Sequence, residues 1–243
     1  MIKIERLYKS FGNQPVLRGV DLNIPQGKTT VVIGKSGSGK SVLIKHILAL
    51  LRPDSGRVLV DGREISSATG RELGRLRTNF GLCFQNAALF DSMNVFDNVA
   101  FPLVEHSGFS RAQIKQRVEE TLTAVGMEGT EDKFPSELSG GMRKRVGVAR
   151  AIVHRPQIIL YDEPTTGLDP ITASTINDLV IDVQKRLGLT CVVITHDVAA
   201  TFRVGHYIAF LHEGVINAYG TPDEIENDPS PKLREFIRRG RAG

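Results

Sequence analysis

A glycine-rich run at residues 34–41 restricts the fold of this chain more than any other feature. It reads Gly-Lys-Ser-Gly-Ser-Gly-Lys-Ser. It follows an apolar stretch at 31–33, typical of a buried strand, and precedes a segment at 42–51 with helical periodicity. A flexible Gly/Ser linker would not place Lys40 and Ser41 at the head of an amphipathic helix. The pattern therefore favours an α/β fold in which a strand, this loop and a helix follow one another.

The run satisfies the pattern G-x-x-x-x-G-K-[ST], which is specific for phosphate binding when it joins a strand to a helix. Glycine lets backbone amides close around phosphates, and the N-terminus of the following helix adds positive potential. In such a loop Lys40 would reach the β- and γ-phosphates, and the Ser41 hydroxyl would be a ligand of Mg²⁺. We expect the nucleotide contacts to come from Gly34, Lys35, Ser36, Gly37, Ser38, Gly39, Lys40, Ser41 and Val42.

Two carboxylates follow the apolar stretch at 158–161. Asp162 stands where the expected strand ends and is suited to hold Mg²⁺ through water. Glu163 points differently and is suited to orient the water that attacks a γ-phosphate. A solvated acidic turn would be the simpler interpretation of two carboxylates alone. Their combination with a phosphate-binding loop favours the catalytic interpretation.

A second glycine cluster opens another expected helix. Segment 138–142 reads Leu-Ser-Gly-Gly-Met, and a helical pattern continues behind it. Ser139 is a good N-cap, and Gly140 and Gly141 leave the first helical amides accessible. The cluster is therefore a second candidate anion site, which many phosphate-loop enzymes do not need.

The ordered set of motifs resembles the ATPases of ABC transporters, and the resemblance extends over essentially the whole chain. Segment 138–142 matches the signature loop of that family, although Met142 stands where most members have Gln. The resemblance implies that ATP is bound with Mg²⁺ and hydrolysed. It also implies a head-to-tail homodimer, in which Ser139, Gly140 and Gly141 of one copy close over the γ-phosphate held by the other.

The resemblance assigns roles to four further residues. Phe11 matches the aromatic residue that stacks on adenine, with a core aromatic as the alternative. Gln85 matches the glutamine that contacts Mg²⁺ or the attacking water and senses the membrane partner. Asp169 lies in the loop that crosses the dimer seam, and His196 matches the histidine that hydrogen-bonds the γ-phosphate and supports Glu163.

The resemblance implies an α/β fold, namely a P-loop NTPase domain of the ABC type with a RecA-like core, an antiparallel β subdomain and an inserted helical subdomain. We expect one domain, with 1–90 and 156–220 in the catalytic core, 91–155 in the helical signature subdomain and 221–243 in a C-terminal helical tail. Periodicity predicts strands at 2–9, 16–24, 31–33, 56–62, 80–84, 158–161, 190–195, 207–211 and 215–218, and helices at 42–51, 110–125, 139–154 and 171–187.

The motifs leave several functional classes to distinguish. A DNA-repair ATPase of this type would carry a long coiled coil, and a translation-factor ATPase would carry two cassettes in one chain. An unrelated kinase or GTPase would leave 138–142 and His196 unexplained. A transporter subunit with separate membrane chains fits best, and a soluble non-transport ABC ATPase remains the alternative of another class.

Segments 41–46, 86–99 and 138–151 resemble the ATPases of Mce-associated systems, which include the Mla phospholipid system. That branch implies an MlaE-like permease, an Mce-domain protein and a small STAS-domain subunit. An importer of polar amino acids is the alternative, for which Val42 and Met142 would be atypical. We expect exposed apolar side chains to form a socket for the permease, with packing inside the helical subdomain as the alternative: Leu89, Phe90, Met93, Val95 and Phe96.

Composition restricts the setting of the protein. The net charge of +4 fits nucleotides, an anionic lipid surface or nucleic acid and does not by itself decide among them. The resemblance to a transporter ATPase implies no nucleic-acid partner. No signal peptide or run long enough to span a membrane stands out. Cys83 and Cys191 lie in apolar stretches and predict buried thiols in a reducing compartment. We therefore expect a cytoplasmic protein, and the resemblance to Mce-associated systems implies a peripheral position on the inner membrane of a bacterium.

Overall fold

The computed structural model describes residues 1–106 and 108–242, which fold into two compact units. One unit is formed by Met1–Arg77 and Leu189–Gly243, and the other by Thr78–Gly188. Ser107 and Gly243, which fall in the predicted helical subdomain and tail, lie outside the described residues. The predicted division at 91–155 and 221–243 remains a proposal. Among the described residues, no helix combines the length and the apolarity needed to cross a membrane.

The first unit contains a four-stranded antiparallel sheet with strand order β2-β1-β4-β5. The predicted strands at 2–9 and 16–24 are confirmed as β1 and β2, joined at Gly12, whose φ of 59° permits the tight turn. Ile2 and Ile4 of β1 are buried at alternate positions, and Leu7 is buried three residues later because the pairing register shifts between Ile4 and Leu7. The strands are β1 (Ile2–Phe11), β2 (Gln14–Ile24), β4 (Ser55–Val60) and β5 (Arg63–Glu64).

A second set of strands in this unit has the order β10-β9-β3-β8. β3 pairs in parallel with both β8 and β9, while β10 runs antiparallel to β9. Every residue of β3 and of β8 is buried, as a parallel strand covered on both faces requires. The strands are β3 (Thr29–Ile33), β8 (Thr190–Thr195), β9 (Tyr207–His212) and β10 (Val215–Gly220).

Helices complete the first unit. The predicted helix at 42–51 is observed at Lys40–Ile47, so it begins and ends earlier than predicted. It ends earlier because Ala49 has a φ of 51° and leaves helical geometry. Periodicity did not predict two short helices, Gly70–Arg77 and Val198–Val204. The first of them is mostly charged and exposed. The helices of this unit are α1 (Lys40–Ile47), α2 (Gly70–Arg77), α7 (Val198–Val204), α8 (Pro222–Glu226) and α9 (Pro231–Ala242).

The second unit contains one parallel pair of strands and four helices. β6 (Phe80–Cys83) and β7 (Ile158–Asp162) pair in parallel, and no strand lies between them among the described residues. Ser110, with which the predicted helix at 110–125 begins, caps α4 through a capping box with Gln113. The helices are α3 (Val95–His106), α4 (Arg111–Ala124), α5 (Gly140–Ile152) and α6 (Pro170–Leu187), with a 3-10 turn at Pro135–Glu137.

Two glycines of these units test the packing. At Gly81 in β6, an added Cβ would lie 2.3 Å from the main-chain oxygen of Ala151, which cannot give way easily. Gly81→Ala should lower the free energy of unfolding by about 1–3 kcal/mol, the usual effect of overpacking. Gly74, inside α2, has open space around it, so Gly74→Ala should be neutral or stabilising. Urea unfolding followed by circular dichroism measures both, and equal effects would contradict the packing described.

Candidate functional site

The glycine-rich loop leaves the carboxyl end of β3 and turns into α1. Gly37 and Gly39 have φ values of 78° and 104°, which side chains other than glycine rarely adopt. A Cβ at Gly39 would lie 2.9 Å from Leu17 Cδ2, and one at Gly34 would lie 2.3 Å from the main-chain oxygen of Leu211. Both the conformation and the close packing of the loop therefore require glycine.

The polar groups of the loop are suited to bind an anion. Lys40 is only 7% exposed. It donates hydrogen bonds to the main-chain oxygens of Gly34, at 2.8 Å, and Lys35, at 3.1 Å. The Ser38 hydroxyl is buried and has no hydrogen-bond partner among the described residues. Since a buried hydroxyl without a partner is unfavourable, an acceptor such as a phosphate oxygen would stabilise this loop.

Parallel pairing brings His196 to the edge from which the loop leaves. Ile33 pairs with Thr195, so the residues that follow each strand begin side by side in the first unit. His196 is exposed there. The chain turns sharply after it, because the Thr195 hydroxyl accepts from the amide of Asp197 at 3.0 Å and Asp197 caps α7. The turn fixes the position of the histidine at this edge.

The second unit has an equivalent edge. Cys83 pairs with Tyr161, so the ends of β6 and β7 are neighbours. Gln85 follows β6, Asp162 is the last residue of β7, and Glu163 comes directly after it. Glu163 has a φ of 50°. A non-glycine residue in this left-handed region costs about 1–2 kcal/mol and signals a local constraint.

Glu163 is held through both its main chain and its side chain. Its carboxylate Oε2 accepts a hydrogen bond from the Thr166 hydroxyl at 3.1 Å. Its main-chain oxygen accepts from the Lys144 ammonium at 3.4 Å, and the same ammonium donates a short hydrogen bond to the main-chain oxygen of Gln85. Lys144 therefore joins the two loops that carry the candidate catalytic residues of this unit.

The second glycine cluster forms the N-terminus of α5. Ser139 is the N-cap, and its hydroxyl accepts from the amide of Met142 at 3.3 Å, as expected. A Cβ at Gly140 would lie 3.2 Å from Leu168 Cδ2, and one at Gly141 would lie 2.6 Å from Thr172 Cγ2. The glycines therefore also allow this end of α5 to pack against the start of α6.

Asp169 is the N-cap of α6. Its Oδ1 accepts from the amides of Ile171, at 3.1 Å, and Thr172, at 3.0 Å. Hydrogen bonds from the hydroxyl and the amide of Thr172 hold the pKa of Asp169 below its usual range. The carboxylate is thus anionic at neutral pH, and the loop before α6 is fixed.

Phe11, at the end of β1, does not belong to the core, because it is 49% exposed. The Lys9 ammonium lies 5.7 Å from the centre of its ring. Asp54 holds that ammonium at 2.8 Å. The ring is therefore available to stack on a flat ligand, as the adenine assignment requires.

The residues expected to hold Mg²⁺ offer only oxygen ligands. They are a hydroxyl (Ser41), an amide (Gln85) and a carboxylate (Asp162). This set suits Mg²⁺, which binds to one or two carboxylates together with substrate phosphates and water. In the described part of the chain, no group of three or more His, Cys, Asp or Glu residues could hold a metal ion. The donor set therefore fits a nucleotide-bound Mg²⁺ better than a metal held by protein alone.

The predicted socket of exposed apolar side chains after β6 is correct only in part. Val95 is fully buried at the start of α3, so it cannot belong to an exposed socket. Phe90 is 41% exposed, and Leu89, Met93 and Phe96 are half-buried.

Both thiols are buried, as predicted, and burial raises the pKa of Cys191 to about 12. The sequence reasoning missed Lys9, Lys144, Arg150 and Thr166, whose contacts follow no motif.

Comparison with known proteins places these features in a family. A family model described as ABC transporter matches residues 17–166. The probable ribonucleotide transport ATP-binding protein mkl of Mycobacterium leprae is 42% identical and covers 100% of this chain and 70% of its own. The intermembrane phospholipid transport system ATP-binding protein MlaF of Escherichia coli K12 is 38% identical, with 93% of this chain and 84% of its own covered. The methionine import ATP-binding protein MetN of Symbiobacterium thermophilum is 42% identical, with 98% and 72% covered.

Solved structures agree. Clostridium perfringens cbiO1, part of the ABC transporter complex cbiONQ, has a TM-score of 0.87 and 32% identity, covering 98% of this chain and 93% of its own. The cassette MJ0796, in a dimeric post-hydrolysis state bound to ADP and Pi, has a TM-score of 0.82 and 31% identity, covering 91% and 99%. These likenesses confirm the predicted fold class.

The exposed ring of Phe11 gives a direct test of nucleotide binding. Phe11→Ala should weaken ATP binding about tenfold, because stacking a base on an aromatic ring contributes about 1–3 kcal/mol. Phe11→Tyr should bind normally. Phe109→Ala is the matched control, since Phe109 is 42% exposed, also has a cation near its ring (Arg117, 5.9 Å) and is distant in sequence from every residue proposed to contact the nucleotide. Titration with a fluorescent ATP analogue measures the affinity, and equal affinity for Phe11→Ala and wild type would contradict the assignment.

Proposed function

Because the chain belongs to the ABC transporter family, we propose that it is the ATP-hydrolysing subunit that powers phospholipid transport between bacterial membranes. The observation that carries the proposal is the likeness to the phospholipid-transport ATPase MlaF over 93% of this chain. Met142, in the signature loop, supports the same branch. The chain would act at the cytoplasmic face of the inner membrane, bound to it through membrane subunits.

The loop of the first unit is suited to hold the triphosphate. The Ser38 hydroxyl has no partner among the described residues, and the space beside Gly37 is open where a Cβ would lie. On nucleotide binding, the Lys40 ammonium would exchange the carbonyl oxygens of Gly34 and Lys35 for β- and γ-phosphate oxygens. Contacts of the ammonium with anionic phosphate oxygens would then replace its contacts with neutral carbonyl oxygens, which favours the bound state.

Glu163 is the residue that we assign to hydrolysis. The Thr166 hydroxyl and the Lys144 ammonium fix its side chain and main chain, so its carboxylate can orient and polarise a water molecule. His196 would donate to the γ-phosphate and support this carboxylate. Ser41, Gln85 and Asp162 would hold Mg²⁺, which neutralises charge on the phosphates when bound.

We propose that two copies work together. The relative MJ0796 forms a dimer in a state bound to ADP and Pi. In a similar dimer, the N-terminus of α5, where Ser139 is exposed, Gly140 half-buried and Gly141 buried, would complete the partner copy's ATP site, and Asp169 would lie at the seam. ATP binding would close the dimer, and hydrolysis would reopen it.

The membrane partner would bind the segment that follows β6. Exposed aromatic rings lie there, with Phe84 45% and Phe90 41% exposed. Such rings suit an apolar contact with a permease helix. Closure of the dimer would reach the permease through Gln85 and segment 86–104. We propose an MlaE-like permease, with an Mce-domain protein and a STAS-domain subunit as further members of the complex.

Import of a small solute is the second candidate function. Two relatives of similar identity support it, one named for methionine import and one for ribonucleotide transport. ATP hydrolysis by the residues above would be the same in each case. The choice between substrates therefore depends on the membrane partners.

Substitution of the proposed catalytic carboxylate tests the mechanism. Glu163→Gln should lower kcat by at least about 100-fold while ATP binding persists, because the amide cannot polarise the attacking water. With ATP, this variant should elute as a dimer in size-exclusion chromatography. Lys40→Ala is the contrast, since it should lose ATP binding and the dimer together. Wild-type turnover by Glu163→Gln would exclude Glu163 as the residue that orients water.

Identification of the cargo tests the substrate. A tagged chain, purified from its own bacterium in mild detergent, should carry a permease and bound phospholipid. Reconstituted into vesicles, the complex should hydrolyse ATP faster with phospholipid substrate than with methionine or a ribonucleotide, because transport substrates promote closure of the dimer. Mass spectrometry and phosphate release provide the readouts. Stimulation by methionine or a ribonucleotide alone would replace the lipid proposal with the import alternative.

A further inference from the structure

We propose that Lys144 and Arg150, two cations of α5, are positioning residues for ATP hydrolysis. They would hold the main chain around Gln85 and Glu163 without touching the nucleotide. The inference rests on the proposed function, because it concerns the same catalytic residues. It adds a link between the helix that begins at Ser139 and the loops that carry those residues.

Three residues of α5 contact the segment after β6, each three positions from the next. Lys144, Gly147 and Arg150 therefore lie in one row on the helix. The Lys144 ammonium donates to the main-chain oxygen of Gln85. Arg150 donates through Nη1 to the oxygen of Ala88 at 2.7 Å and through Nη2 to the oxygen of Ala87 at 2.5 Å.

The middle residue of the row allows the close approach. A Cβ added at Gly147 would lie 3.2 Å from Ala87 Cβ and 3.4 Å from Ala87 Cα. The Gly147 main-chain oxygen also accepts a weak hydrogen bond from the thiol of Cys83 at 3.8 Å. The segment therefore packs against the helix over several residues rather than at one point.

The main chain that these cations hold is strained. Ala87 and Ala88 have φ values of 58° and 47°, and Glu163 has a φ of 50°. Left-handed backbone at residues other than glycine persists only where the surroundings impose it. Carbonyl oxygens held by two cations are such a constraint. Lys144 contacts both strained loops, because its ammonium also donates to the oxygen of Glu163 at 3.4 Å.

Burial strengthens the dependence on these contacts. Desolvation lowers the pKa of Lys144 and that of Arg150, so each cation relies on nearby acceptors. Lys144 is only one turn beyond the glycines at the start of α5. A shift of that helix on anion binding would therefore move the carbonyl oxygens of Gln85 and Glu163. An anion bound by one copy would in this way adjust the hydrolytic residues of the other.

The variant Lys144→Met keeps the length of the side chain and removes its charge. We expect its kcat for ATP to fall at least about tenfold, with ATP affinity within about twofold of wild type, since only positioning is lost. Lys144→Arg keeps the charge and the donors and should recover most of kcat. Arg186→Met is the matched control, because Arg186 also donates to a main-chain oxygen of this unit, that of Ala124, away from both loops.

Hydrogen exchange gives a readout that does not depend on turnover. In full-length Lys144→Met, peptides covering 84–90 and 163–168 should exchange faster than in wild type, and the peptide covering 122–127 should not change. If Lys144→Met does not fold, Arg150→Lys is measured instead. It keeps the charge but not the paired donors, and should show the same loss of kcat.

The outcomes separate this inference from the proposed function. Hydrolysis that is equal in wild type and Glu163→Gln would overturn the proposed function. Hydrolysis that is lost in Glu163→Gln but normal in Lys144→Met would overturn only the positioning role. A fall in the melting temperature of Lys144→Met with normal kcat, or an equal loss of kcat in Arg186→Met, would also overturn it.

Discussion

Buried parallel strands can expose polar groups only where they end, and the candidate residues of this protein depend on that constraint. Every residue of β3 and of β8 is buried, and their last residues, Ile33 and Thr195, are paired. The phosphate-binding loop and His196 therefore start at one edge of the first unit. The same reasoning holds in the second unit, where the pairing of Cys83 with Tyr161 places two polar loops together.

The edge also explains why unusual backbone conformations collect there. A chain that leaves a strand and turns at once needs φ values that most residues avoid. In the phosphate-binding loop, Gly37 and Gly39 supply them without strain. In the second unit, Ala87, Ala88 and Glu163 supply them with strain, and hydrogen bonds from α5 hold the main chain in place. Glycine residues thus allow the turn in the first unit, whereas contacts with α5 stabilise the strained turns in the second unit.

This difference decides what the sequence could predict. Glycine, lysine and the N-cap Ser139 leave a pattern of residue types, so the loop at 34–41, the cap and most strands could be found by inspection. Lys144 and Arg150 recognise main-chain oxygens, which every residue possesses, and so no motif announces their partners. Exposure was equally hard to predict, since Val95 belongs to an apolar run of which only some members are buried. Short charged helices such as α2 have too little periodicity to be recognised.

Membership of the ABC transporter family rests on a match over residues 17–166, and that match does not identify the cargo. Relatives of similar identity carry names for lipid, methionine and ribonucleotide transport. The same residues would therefore hydrolyse ATP whichever permease the chain binds. Specificity for that permease would lie in the exposed rings after β6, such as Phe84 and Phe90.

The position of Phe11 has a consequence for which nucleoside triphosphate the protein would use. One cation, Lys9, lies over its ring, and the ring itself offers no hydrogen-bond donor or acceptor. Stacking on an aromatic face is available to any base and carries little information about which one is present. A nucleobase held at this position would be selected by its flat shape rather than by its functional groups. The transporter would then accept GTP as well as ATP, and its preference would follow the relative concentrations of the two purines.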